Sequence, residues 1–324
     1  MLLIAALFLC ADGANIPING LQFYYMFNKS TVKGGTVKDA SINGHDLTSS
    51  KDSIQLGNDL FGNGQNALSM DGTYNLSCTL PDTLVHRLTD MNDFTFGLMF
   101  STNAPSGSMT QRMDIAGIGD PYNSGIFLSM TYDRVRIFLG NHGYYDTPDS
   151  LNDAGWHSAI VVRSQGAVVL YIDGKVADQG AVTASIYPGT DQFVIGKHGT
   201  KNESYYKGLI NDVFYYSAAS SANDISNLYK AFTCPPISVI SPFDTFSTTQ
   251  PLFKWHPETG TIAYAFEMST DSLFTKPFLS VPLIDTTIQV AQPLATGRYF
   301  VHVGCNSDDR SPFYFSDWHP VVIR

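Results

Sequence analysis

The chain is poor in charge. Asp, Glu, Lys and Arg make up only 15% of its 324 residues, and the 19 Lys and Arg are nowhere clustered. Nucleic acid and anionic membrane surfaces both need a basic footprint, so neither is expected as a partner. Glutamate is scarcest: only Glu203, Glu258 and Glu267 occur, and Asp supplies most of a formal net charge of −10. Asp favours turns and Glu favours helices, which points to a loop-rich β protein. Long apolar runs are missing as well. Met1 to Leu9 is apolar but far too short to span a bilayer. The four cysteines, Cys10, Cys78, Cys234 and Cys305, form no Cys-x-x-Cys pair, so zinc and redox roles have no support. One disulfide and buried free thiols both fit the three that follow Cys10. There is no Gly-x-Ser-x-Gly elbow, no His-Glu-x-x-His and no phosphate-cradling glycine loop. Glycoside hydrolysis needs two opposed carboxylates, and no strand carries an alternating acidic pair. The sequence therefore reads as a non-enzyme.

What is present is strand. Hydrophobic residues make up 44% and aromatics 13%, enough for real cores built from short strands. Met1 to Ala14, with its apolar core and the small residues Ala11 and Gly13, reads as a signal peptide (1–14), and hence as export to a secreted or cell-surface location. Leu9 before Cys10 is bulky where a lipidation signal has a small residue. Residues 15–233 then give strands at roughly ten-residue spacing: Leu21 to Phe27, a pair at Ala67 to Gly72 and Thr73 to Thr79, Asp93 to Ser101, Met113 to Ile118, Gly125 to Thr131, Arg134 to Leu139, Gln192 to Gly196 and Tyr206 to Tyr216. Between them, Trp156 to Val162, Ala167 to Ile172 and a strand from Lys175 form a three-strand meander around a polar turn at Arg163 to Gly166 and an Asp173-Gly174 turn. Ser220 to Lys230 is the one helical pattern, with Ser220 or Ser221 as cap and Ile225, Leu228 and Tyr229 on one face. Cys234-Pro235-Pro236 ends this part. Residues 234–324 hold a second, shorter strand series. Trp156 and Trp255 read as core, and His157 as structural.

These residues resemble a family. Gly155-Trp-His-Ser-Ala-Ile-Val-Val162 with Val169-Leu-Tyr-Ile-Asp-Gly-Lys-Val176 looks like the core of laminin G-like, pentraxin-like, concanavalin A-like jelly rolls. Leu21 to Phe27 with Asn43 to Asp46, Ala67 to Gly72, and Tyr206 to Tyr216 followed by Ser221 to Tyr229 match further family segments in order. Ile240-Ser-Pro242, Pro251 to Trp255 and Leu294 to Val303 resemble a fibronectin type III-like module. The implied fold is all-β: a concanavalin A-like jelly-roll sandwich followed by a small immunoglobulin/fibronectin III-like sandwich, with the meander as the central hairpin of the first. The resemblance also implies a structural Ca²⁺, for which Asp71, Asp120 and Asp212 are the oxygen-bearing candidates.

Sugar sites pair aromatic platforms with amide or carboxylate hydrogen-bonders on loops. The residues of that kind are Tyr122 and Asn123; Asn141, His142, Tyr144, Tyr145 and Asp146; and His198 and Tyr205. The resulting expectation is an exported, non-catalytic, carbohydrate-binding or adhesive protein whose partner is a glycan or glycoprotein. A structural protein of an envelope or virion surface, using the jelly roll for protein contacts, is the alternative. An accessory part of a glycan-degrading system comes third.

Overall fold

The computed structural model describes residues 8–11, 14–17, 20–62, 64–89, 92–106, 111–183, 185–186, 189–233, 239–241, 245–257, 263–271, 274, 276–306, 314–315 and 319–324. The chain forms two compact units, residues 20–226 and residues 1–19 with 227–324. Among the described residues, no helix is long and apolar enough to cross a membrane.

Within the stretch that reads as an export signal and just beyond it, β1 (Phe8–Ala11) and β2 (Ala14–Pro17) pair antiparallel. From residue 20 the chain runs through β3 (Leu21–Tyr25), β4 (Val32–Lys33), β5 (Thr36–Val37), β6 (Leu47–Ser49), β7 (Leu56–Asn58), β8 (Gly64–Asp71), β9 (Leu76–Thr79), α1 (Asp82–Thr89), β10 (Phe94–Ser101), β11 (Met113–Ile118), β12 (Ile126–Thr131), β13 (Arg134–Leu139), β14 (Tyr144–Asp146), β15 (Trp156–Ser164), β16 (Ala167–Ile172), β17 (Lys175–Ala181), β18 (Gln192–Ile195), β19 (Lys207–Tyr216) and α2 (Ala222–Thr233), in which the boundary at residue 226 falls. Two antiparallel sheets result. One has the order β17-β16-β15-β10-β19-β8-β7, with β3 also on β19; the other runs β14-β13-β12-β11-β18-β9-β6-β5-β4. The core lies between them. Phe193 of the second sheet packs 4.7 Å from Phe23 and 6.0 Å from Phe96 of the first, all three buried.

Several expectations change. Ala67 to Gly72 and Thr73 to Thr79 are not a hairpin. β8 pairs with β7 and β19, whereas β9 pairs with β18 and β6, so Asp71-Gly72 carries the chain from one sheet to the other. The meander does form, but β17 is the edge of its sheet and β10 and β19 hold the middle. Asp173 (φ 51°) and Gly174 (φ 73°) make the turn with both central residues at positive φ. The other turn is not simply polar. β15 extends to Ser164, and Arg163 is fully buried, donating from Nη2 to the Val182 carbonyl at 2.9 Å. Trp156 is only half-buried, because it stands at the end of β15 opposite Ser101. A second helix, α1, follows Pro81. Asp82 is in its first turn and Leu84 is buried, and the helical stretch is only two turns long. In α2, Ser221 and Asp224 form a reciprocal cap (Asp224 N to Ser221 Oγ, 3.2 Å; Ser221 N to Asp224 Oδ2, 2.9 Å), and Ile225, Leu228, Ala231 and Phe232 are buried at helical spacing.

The smaller unit continues with β20 (Val239–Ser241), β21 (Thr245–Phe246), β22 (Leu252–Trp255), β23 (Ala263–Ser269), β24 (Leu279–Leu283), β25 (Thr287–Gln289), β26 (Gly297–Asn306), β27 (Tyr314–Phe315) and β28 (His319–Ile323). A three-stranded sheet, β20-β22-β25, accompanies a six-stranded one, β21-β28-β26-β23-β24 with β27 on β26. Thr245 and Phe246 pair in parallel with Val322 and Ile323. Trp255 is its core residue, stacked on Phe266 at 6.3 Å. Both units are all-β sandwiches.

Candidate functional site

Strand alternation sorts the side chains of β12 and β13 cleanly. Ile126, Leu128, Met130, Val135, Ile137 and Leu139 enter the main core. Phe127, Ser129, Arg136 and Phe138 are turned to the other face of the sheet. They are buried there too: Phe127, Phe138 and Val194 form a separate apolar cluster, and Arg136 is 6% exposed. A buried outward face needs a cover, and two loops supply it.

The first loop joins β11 to β12. The Asp120 carbonyl accepts from Ser124 N (3.0 Å) and Gly125 N (2.6 Å), and its Oδ1 accepts from Tyr122 N (2.9 Å). Burial works against ionising Asp120, but the bonds from Tyr122 N–H and the Asn123 side chain prevail and hold its pKa below the usual range. The turn sets Tyr122 edge-on to Phe138, with centroids 5.2 Å apart, and 4.3 Å over the guanidinium of Arg112. The second loop joins β18 to β19. Ser204 O accepts from Asp114 N (2.8 Å), and Tyr205 bridges Asp114 in parallel. Gly199 lies against this face so closely that a Cβ there would be 2.1 Å from Gly119 O and 2.9 Å from Phe127. His198, fully buried, is thereby carried to 3.8 Å from Asp120 Oδ1. Burial lowers its pKa, so the imidazole is neutral at pH 7.

Two ion pairs lie under this cover. Arg112 meets Asp114 through Nε (2.6 Å) and Nη2 (2.8 Å), and Ser129 Oγ donates to Asp114 at 2.6 Å. Burial raises the Asp114 pKa, and Arg112 works against that rise. Arg136 grips Asp146 with two nitrogens. Burial lowers the Arg136 pKa, but Asp146 outweighs it and the net shift is upward. Tyr144 covers Arg136 at 3.7 Å and sits 6.2 Å from Phe138. Two tyrosines thus flank one phenylalanine, each backed by a guanidinium. Tyr122 is 40% exposed and Tyr144 53% exposed.

The structure brings together Asp120, Tyr122, Asn123, Tyr144, Asp146, His198 and Tyr205. It turns Tyr145 away: the ring packs against the main core and over Gly180, because β14 alternates. His142 is exposed, with Nε2 3.0 Å from Ser185 O. The side chain of Asn141 lies outside the described residues. Asp71 and Asp212 are elsewhere. Asp71 is exposed at the end of β8 and takes Lys51 Nζ at 2.9 Å. Asp212 sits in an irregularity of β19 at φ 51° and accepts from Tyr24 Oη. Among the described residues, no group of three or more His, Cys, Asp or Glu side chains is placed to hold a metal. Sequence reading missed Arg112, Asp114, Ser129, Arg136 and Phe138. The usable signal was a charge inside an apolar strand, Met113-Asp-Ile-Ala-Gly-Ile118, and the alternation Arg134-Val-Arg-Ile-Phe138.

Residues 71–226 match a family model described as the concanavalin A-like lectin/glucanases superfamily. Among solved structures, the binding domain of botulinum neurotoxin DC in complex with SialylT is 11% identical, over 94% of this chain and 82% of that one, with a TM-score of 0.52. The receptor binding domain of botulinum neurotoxin D is 12% identical, over 90% and 74%, at 0.52. Domain 4 of an extracellular arabinanase from Geobacillus stearothermophilus, in complex with arabinotriose, is 17% identical over 65% and 100%, at 0.44. No curated protein matches. At these identities the likeness to the two neurotoxin domains is one of fold. Sheet order, core and family match converge: residues 71–226 are a concanavalin A-like domain.

Proposed function

We propose that the chain is an exported, non-catalytic glycan-binding protein whose sugar lies across Tyr122 and Tyr144. The observation that carries this reading is the exposed tyrosine pair held on a buried phenylalanine, with polar groups at its margin. The C–H faces of a sugar pack on aromatic rings, and Asn123 and Asp120 lie beside Tyr122 to meet hydroxyl groups. Two of the acids support the non-catalytic reading: Asp114 is tied to Arg112 and Asp146 to Arg136, so neither is poised as a general acid or base. Residues 234–324 act as a fibronectin III-like spacer in this reading, supported by the two-sheet arrangement around Trp255.

A glycan array on the purified chain, repeated with Tyr144→Ala, tests the proposal. An aromatic contact of this kind is worth about 1 kcal/mol, so binding should weaken about fivefold. An array without hits, together with a stable homo-oligomer in light scattering, would replace the lectin reading with an assembly role.

A further inference from the structure

Arg112 is the side chain on this face with capacity left over. It is 3% exposed, Nη2 donates to Asp114 at 2.8 Å and Nε stands 2.6 Å from it, yet among the described residues neither Nε nor Nη1 has a hydrogen-bond partner. Buried guanidinium nitrogens are normally satisfied, and an unmade charged hydrogen bond is unfavourable. Nearby, the buried His198 Nε2 is also without a hydrogen bond, with Asp120 Oδ1 as its nearest acid at 3.8 Å. What covers Arg112 is the half-exposed ring of Tyr122, a side chain on a loop. Arg136 offers no comparable opening, because both arms of Asp146 hold it.

The surroundings carry charges of both signs: Arg112, Arg136, Lys197 and Lys201 lie among Asp114, Asp120, Asp146, Asp178 and Glu203, a nearly balanced set in a chain of net charge −10. Resting on the glycan-binding reading above, we infer that the site takes an acidic sugar. Its carboxylate pairs with Nη1 of Arg112 after the Tyr122 ring swings off the guanidinium, and His198 Nε–H donates a second bond. The exchange replaces a cation–π contact with a charge-assisted hydrogen bond, the stronger interaction. Tyr122 is then both a platform and a lid.

Calorimetric titration with 3′-sialyllactose and with lactose, which differ by the acidic sugar, tests this on the full chain. The acidic ligand should bind about tenfold more tightly, and the ratio should shrink as NaCl rises from about 20 mM to about 200 mM. Tyr122→Ala should keep or raise the ratio, since the lid is gone. Arg112→Gln with Asp114→Asn, which removes both buried charges together, should bring the ratio to about one. If that pair does not fold, the Tyr122→Ala titration and the salt series still decide. Equal binding of the two ligands by the wild-type chain overturns the acidic-sugar inference and leaves the glycan reading standing. Binding of neither, with an empty array, overturns the glycan reading itself.

Discussion

Gly117 connects the fold to the candidate site, and Gly117→Ala is the most informative single change. Gly117 lies in β11 opposite Phe127 of β12. A Cβ there would stand 2.1 Å from the Ile126 carbonyl oxygen and 2.6 Å from Phe127 Cγ. The first contact is with backbone, so no side-chain rotation relieves it. The second is with a fully buried ring that also supports Phe138 and Val194. Either β11 separates from β12 or Phe127 leaves its place. Overpacking of this kind costs about 3 kcal/mol, the upper part of its usual range. For a unit of this size each kcal/mol lowers the melting temperature by about 2–4 °C, so the expected fall is about 6–12 °C. The matched control is Gly64→Ala in β8, where the nearest atom is Asn58 Oδ1 at 3.7 Å and the change should stay within about 0.5 kcal/mol. Thermal unfolding followed by circular dichroism compares the two. If Gly117→Ala melts within about 2 °C of the wild type, the close seating of Phe127 on the strand is wrong, and with it the support assigned to Tyr122 and Tyr144.

Four further outcomes are expected. His157 bonds Asp173 through Nδ1 (2.9 Å) and Asp153 through Nε2 (3.2 Å), and the Asp173 bond chiefly raises its pKa. The protonated form is therefore favoured by folding. Its stabilisation is full below the unfolded value near 6.5 and is lost as pH rises through the higher folded value; urea midpoints should show this slope, and His157→Gln should remove it. Burial pushes the Cys78 thiol up to about 11, so peptide mapping after a thiol reagent should find it unlabelled in the native state and labelled in denaturant. Ser221→Ala removes the cap of α2 and should cost about 1 kcal/mol in chemical denaturation. Asp71, Asp120 and Asp212 occupy separate settings, each with its own donors, so EDTA should leave the melting temperature unchanged; a fall of several degrees would instead place a structural cation in the fold.

The strands were legible because each carries its own signal. Apolar alternation and turn residues mark β12, β13 and β16 without reference to partners. Pairing was less legible, and the Asp71-Gly72 turn shows why. A two-residue hairpin needs positive φ at its first central residue, and an Asp-Gly type I′ turn needs it at both, but here only Gly72 has it (φ 82°), which suits a chain passing between sheets. The local dipeptide is the same in both cases; only the partners of β8 and β9 differ. The exposed half of the site was legible in the same local way, since Tyr122, Asn123 and Tyr144 stand on loop or edge segments with polar neighbours. Its buried half was not. Asp114, Ser129 and Arg136 alternate with apolar residues, a pattern that normally means a solvated face. They are buried because the chain from Lys197 to Tyr205, far along the sequence, lies back along β11, and because Tyr122 and Tyr144 close over the two arginines. Burial of that kind arises only from the tertiary fold. It also turns an ordinary surface arginine into one whose Nε and Nη1 lack hydrogen bonds among the described residues, so the feature that strand alternation concealed is the one on which the proposed preference for an acidic sugar rests.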